Sequence, residues 1–171
     1  LSQVSDFFIK HPELNQKPFP VIHSVKSRKK DLDHLKDKIN RKYADGKIVT
    51  KDNLFAVITD LIGVRVLHLH QEQFKIIHNV IQQNINEGEW IYVETPKAYT
   101  WDPESKKFYE NLGIPTELRD TFYTSVHYVV RLNNPSAFVC CEIQVRTLFE
   151  EIWGEIDHAI NYPHSTESIA C

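Results

Sequence analysis

CEIQVRTLFEEIW, residues 141–153, decides the fold, because it reads as a strand that runs straight into a helix. By parity Val139, Cys141, Ile143 and Val145 share one side of the strand, while Glu142, Gln144 and Arg146 share the other. One side is a core face. The other presents a carboxylate, an amide and a guanidinium in a row. Beyond the strand, Phe149, Ile152, Trp153, Ile156 and Ile160 recur at helical spacing, which predicts a helix over 148–161.

Working outward, FYTSVHYVVRL (122–132) reads as the preceding strand, joined to the first by the turn NNPS, with Tyr123, Ser125 and His127 on one parity. A further strand is expected over 63–70, after a short helical or irregular piece in NLFAVITD. The run QEQFKIIHNVIQQNINEG is apolar at Phe74, Ile77, Val80 and Ile81 and closes on Gly88, which predicts a helix with a glycine cap. WIYVET (90–95) follows as a strand, and 96–120 reads as a long loop with one short helix near 105–112. Upstream, Leu32, Leu35 and Ile39 mark a charged helix expected over 27–43. The sum is an α+β (α/β-like) single domain over residues 1–171, a mixed sheet of about five strands flanked by helices.

Composition narrows the class. A hydrophobic fraction of 42% argues for one folded core, and a net charge of −3 gives the whole chain no electrostatic reason to coat nucleic acid or an anionic membrane. No apolar run reaches membrane-spanning length and no signal peptide is evident, so a cytoplasmic location is expected. Three cysteines, two of them adjacent, make neither a CxxC pair nor a disulfide framework and read as reduced structural residues. The absence of methionine, even at position 1, predicts that these 171 residues are part of a longer protein.

The polar strand faces carry the chemistry. Arg65 lies between Val64 and Val66, where an unpaired charge would be costly, so it needs a partner such as Glu142 or a ligand. Asp60 and Glu142 are two carboxylates from different strands, an arrangement that suits Mg²⁺ when water and phosphate oxygens complete its shell. Arg65 and Arg146 offer permanent charge for phosphate, and Tyr123 offers a ring on which a base can stack. Eight of the twenty Lys and Arg residues fall in VKSRKKDLDHLKDKINRK (25–42), either as a phosphate site or as a solvated face paired with Asp31, Asp33 and Asp37. No GxGxxG or GxxxxGK[ST] is present, so side chains must hold any triphosphate. His68 and His70 lack a companion cluster, and no metal site is expected there.

In their order and spacing, VKSRKKDLDHLKDKI, DLIGVRV, YTSVH and EIQVRTLFEEIWGEIDHAINY resemble the synthetase domain of the RelA/SpoT family, over roughly 21–162. The resemblance implies the nucleotidyltransferase-like fold of that family and the small alarmone synthetase type. It implies transfer of pyrophosphate from ATP to the 3′-hydroxyl of GDP or GTP, with Mg²⁺ as cofactor and AMP as by-product. Asp60 then resembles a Mg²⁺ ligand, and Glu142 the second acidic residue, as Mg²⁺ ligand or general base, with Arg65 near the phosphates. Arg28, Lys30 and Lys36 resemble ATP-site basic residues. Tyr123, Ser125, His127, Gln144 and Arg146 match the acceptor side, and His158 matches a residue of the last helix. A homo-oligomer formed through terminal helices, and synthesis without hydrolysis, are implied as well.

One departure stands out. Family synthetases commonly have a Gly before the stacking tyrosine within a Lys-rich loop, and here Phe122 occupies that place, with Lys97 and Arg119 as candidate substitutes for the loop lysine. Two alternatives follow. One is a toxin-type relative acting on tRNA 3′ ends or on adenosine nucleotides; the other is an inactive nucleotide-binding domain.

Overall fold

A computed structural model describes residues 2–134, 136 and 138–161, the last five by backbone alone. Among the described residues, six strands form one mixed sheet in the order β1-β2-β6-β5-β3-β4: Ser24–Lys29, Ile62–His68, Cys141–Thr147, Ser125–Leu132, Trp90–Thr100 and Thr116–Leu118. The central pair β2 and β6 is parallel, and β6–β5, β5–β3 and β1–β2 are antiparallel.

The core lies on one face only. Val64, Val66, Ile143, Val145, Val126 and Tyr128 point together into it. They meet α4 (Gln71–Asn86) through Phe74 and Ile77, and α5 (Pro103–Asn111) through Tyr109. Helix α1 (Ser2–Lys10), which precedes the first element expected from sequence, adds Val4 and Phe8, and its Phe7 ring packs 4.7 Å from Trp90. The α4 start is secured by Gln73, whose side-chain oxygen accepts from the backbone N–H groups of Leu69 and His70.

Three expectations are corrected. The helix expected over 27–43 begins only at Leu32: α2 covers Leu32–Ala44, capped by the Asp31 carboxylate on the Asp33 N–H. The residues before it pair with β2, from Ser24↔Leu67 to Lys29↔Ile62, because backbone pairing outranks a weak helical stripe. The expected loop over 96–120 is mostly ordered structure. Strand β3 continues through Pro96 to Thr100, with register shifts on either side of Glu94 that accommodate a residue lacking an N–H. Asp102 then caps α5, with Pro103 in its first turn, and β4 closes the sheet edge. The last helix, α6, runs over Leu148–Asn161 as expected, but the apolar stripe read as its core face does not face the core: Phe149, Ile152 and Ile156 are exposed, and Glu151 is buried instead.

His68, at the end of β2, is a core residue whose Nδ1 donates to the His70 carbonyl at 3.0 Å. Burial, against a smaller opposing push from that bond, lowers its pKa from 6.5 to about 4. The unfolded chain therefore takes up a proton near pH 6.5 while the folded chain resists until about 4, so stability is full above that window and falls as pH drops through it. The expected loss attributable to His68 is about 3 kcal/mol across the window, read from urea midpoints over a pH series. His68→Gln should flatten that slope, and an unchanged slope would relocate its source.

Candidate active site

The face opposite the core is the chemical one. Register places Arg28 beside Gly63, Arg65 beside Gln144, and Gln144 beside His127, so strands β1, β2, β6 and β5 contribute to one surface. The Arg28 side chain lies across β2 at Gly63, where a Cβ would touch Arg28 Cγ and Nε at 3.4 Å.

At its centre Glu142 accepts from His127 Nδ1 at 3.2 Å and from the Gln144 amide at 2.8 Å. A carboxylate can only accept, so His127 Nδ1 carries the proton; Nε2 then accepts from the Tyr123 hydroxyl at 2.9 Å. The result is a Tyr123–His127–Glu142 chain. Burial alone would raise the Glu142 carboxyl, but the His127 and Gln144 hydrogen bonds outweigh burial and the nearby Asp60 charge, and the carboxyl is held below its ordinary value. Burial raises the Tyr123 hydroxyl, keeping it protonated as the donor. The Arg146 guanidinium lies 5.9 Å from the Tyr123 ring centre, and Ser125 is fully buried at the start of β5.

The Asp60 carboxylate is clamped through Oδ2 by Lys30 at 2.9 Å and Lys38 at 2.5 Å. Burial raises its pKa, and the two lysines more than reverse that. Its other oxygen, Oδ1, is buried without a hydrogen-bond partner among the described residues, and the same holds for Nε of Arg65 and of Arg146. One buried acceptor and two buried donors are thus left unpaired. No three His, Cys, Asp or Glu side chains converge as a metal cage among the described residues. The unpartnered Asp60 Oδ1 and the Glu142 carboxylate are oxygen donors of the kind a hard cation takes.

Several sequence candidates fall elsewhere. Lys36 pairs with Asp33 at 2.8 Å on the exposed side of α2, and Lys38, which the sequence reading passed over, is the α2 lysine beside Asp60. The Arg65–Glu142 pair, one of the two alternatives for Arg65, does not form. Parallel register sets Glu142 opposite Gly63, and Arg65 instead reaches Glu151 at 3.1 Å and Glu155 at 2.9 Å on α6. The His158 side chain lies outside the described residues. Lys97 and Arg119 both pair with Glu117 and both flank the Tyr99 ring, whose centre is 5.0 Å from that of His127. Tyr99 carried no sequence signal, since it falls in the stretch 96–120 read as a loop.

Next to Tyr123 in sequence, Phe122 and Thr124 line a cleft of about 400 Å³ together with Trp101, Trp153, Thr147 and Glu150. Phe122 packs edge-on against Trp101 at 5.1 Å and against Trp153 at 5.5 Å. Among the described residues no helix is long and apolar enough to cross a membrane.

The family described as "Region found in RelA / SpoT proteins" matches residues 27–167. GTP pyrophosphokinase YwaC of Bacillus subtilis (strain 168) is 27% identical over 143 residues, covering 84% of this chain; the chain spans only 59% of that relative's length. Small alarmone synthetase 1 of Bacillus subtilis, solved bound to its product pppGpp, superposes with a TM-score of 0.67 at 19% identity, covering 99% of this chain and 80% of that one. A GTP pyrophosphokinase family protein of Streptococcus pneumoniae gives 0.66 at 20% identity, covering 94% and 72%. The last two establish a shared fold, and the family match, spanning most of the sequence and all the strands of the polar face except part of β1, decides the affiliation: the chain belongs to the RelA/SpoT family.

Proposed function

We propose that this chain transfers the pyrophosphoryl group of ATP to the 3′-hydroxyl of GDP or GTP, making (p)ppGpp and releasing AMP. The observation that carries the reading is the Tyr123–His127–Glu142 chain set on the same sheet face as the Arg65 and Arg146 guanidinium groups, whose Nε–H groups are buried without a partner. The names of the relatives support it, since one is a GTP pyrophosphokinase and another was solved with pppGpp.

The residues divide by side. Arg28, Lys30, Lys38 and Arg65 take the ATP phosphates, and Tyr123, His127, Gln144 and Arg146 receive the acceptor. Ionised Glu142 takes the proton of the 3′-hydroxyl as the oxygen attacks the β-phosphorus. The bond from the β-phosphorus to the bridging oxygen breaks, and AMP departs with the electron pair. Asp60, through Oδ1, and Glu142 would hold Mg²⁺, which neutralises charge on the phosphate oxygens. The guanidinium groups offset the rest. A cytoplasmic location fits the nucleotide substrates proposed.

Phe122, in place of the customary Gly, and the aromatic cleft it builds favour a second reading, in which the acceptor is an adenosine nucleotide or a tRNA 3′ end. Labelled ATP incubated with GDP, GTP, ADP or tRNA in parallel separates the two. Label on GDP or GTP with matching AMP is expected. Label confined to ADP or tRNA establishes the second reading, and AMP release with none of the four overturns both.

A further inference from the structure

Glu151, on α6, is 2% exposed, yet its carboxylate meets three cations from three strands: Lys26 of β1 at 2.9 Å, Arg65 of β2 at 3.1 Å and Arg146 of β6 at 2.6 Å. Two of them are the guanidinium groups assigned above to opposite substrates. Burial would raise this carboxyl, and Lys26, Arg146 and Arg65 outweigh it, so Glu151 is ionised in the folded chain. Arg65 Nη1 donates to Glu151 Oε1, while Arg146 Nη2 meets Oε2 as a close ion pair without hydrogen-bond geometry. Each guanidinium is engaged through one terminal nitrogen instead of the bidentate fork common in Arg–carboxylate pairs, and each Nε–H stays buried without a partner.

A second feature points the same way. Gly154 lies within α6, where glycine costs about 0.5–1 kcal/mol relative to alanine. A Cβ there would come within 3.1 Å of Arg146 Nη1, so the glycine leaves room for the guanidinium that Glu151 holds.

We infer that Glu151 is a positioning residue that fixes the ATP-side Arg65 and the acceptor-side Arg146 from one buried carboxylate, aligning the two substrates against each other. The inference rests on the pyrophosphoryl-transfer reading. Glu155 also touches Arg65, but it is 62% exposed and Arg65 keeps its buried tether without it.

The test uses the whole chain with Glu151→Gln and, as control, Glu155→Gln. Glutamine keeps the size of the side chain and removes the charge that orients both forks. Steady-state kinetics should show KM raised about tenfold for ATP and for the acceptor alike, with kcat changed much less, because Glu142 and His127 are untouched. Binding of a non-hydrolysable ATP analogue by calorimetry should weaken by the same factor, and Glu155→Gln should stay within about twofold of the parent. A Glu151→Gln protein with both affinities unchanged, or with a lower Tm as its only change, or with only one substrate affected, overturns the inference while an active parent leaves the transferase reading standing. A parent that neither releases AMP nor binds the analogue removes the transferase reading, and the positioning role with it.

Discussion

Glu142→Gln is expected to lower AMP release by about three orders of magnitude while the protein remains folded. Glutamine can still accept from His127 Nδ1, and the Gln144 amide can turn to meet it, so the local hydrogen bonds survive the change. What disappears is the negative charge, and with it the proton acceptor and one of the two carboxylates that fit Mg²⁺. Because its hydrogen bonds hold the Glu142 carboxyl below the ordinary 4.5, the base is ionised throughout the neutral range, and the acid limb of its activity profile belongs below that value. The stability sign follows from the same shift. A depressed carboxyl adds stability above its unfolded pKa and loses it as pH falls through the folded one, so the variant should show a flatter acid side in its pH–stability curve. Turnover within tenfold of the parent would remove Glu142 from both roles.

The stretch 141–161 was readable because both of its signals are local: strand parity fixed which side chains share a face, and helical spacing fixed α6. Within each strand the same parity put Glu142, Gln144 and Arg146 on one side and Ser125 and His127 on one side. What parity cannot supply is register. Whether Arg65 faces Glu142 or Gln144 is settled by how two strands 80 residues apart in sequence align, and the observed alignment sends Arg65 to α6. Strand β1 was hidden for a related reason: Ser24–Lys29 holds Val25 as its one apolar residue, and only pairing with β2 makes it a strand. Strand β4 is three residues long and exists only against β3. The helix expected near 105–112 begins at Pro103 as α5; the cap signature Asp102, Pro103, Glu104 is written in the chain, but the expected start does not use it. In the site, choosing Lys38 over Lys36 required knowing which side of α2 meets Asp60, and an apolar stripe of three residues does not say. Glu151 gave no signal at all, since a glutamate off the apolar stripe of an amphipathic helix reads as solvated.

Asp60→Asn should separate two functions that the parent combines. The Asp60 carboxylate is the shared partner of Lys30 and Lys38, whose side chains are 10% and 23% exposed, so losing it leaves two poorly solvated ammonium groups facing a neutral amide. A loss of about 1–3 kcal/mol in folding stability is expected, smaller than for a fully buried pair because water still reaches Lys38. Transfer should fall about 10²–10³-fold, since Oδ1 no longer offers a charged ligand to a cation. Binding should move the other way when no metal is present. Lys30 and Lys38, released from Asp60, become available to phosphate oxygens, so a non-hydrolysable ATP analogue in Mg²⁺-free buffer should bind as tightly as to the parent, or more tightly. Adding Mg²⁺ should strengthen binding to the parent and leave the variant nearly unchanged. Calorimetric titrations with and without Mg²⁺ read both effects in one experiment. If Mg²⁺ still tightens binding to Asp60→Asn by the parental factor, Asp60 is a counter-ion for the two lysines and the cation is held elsewhere.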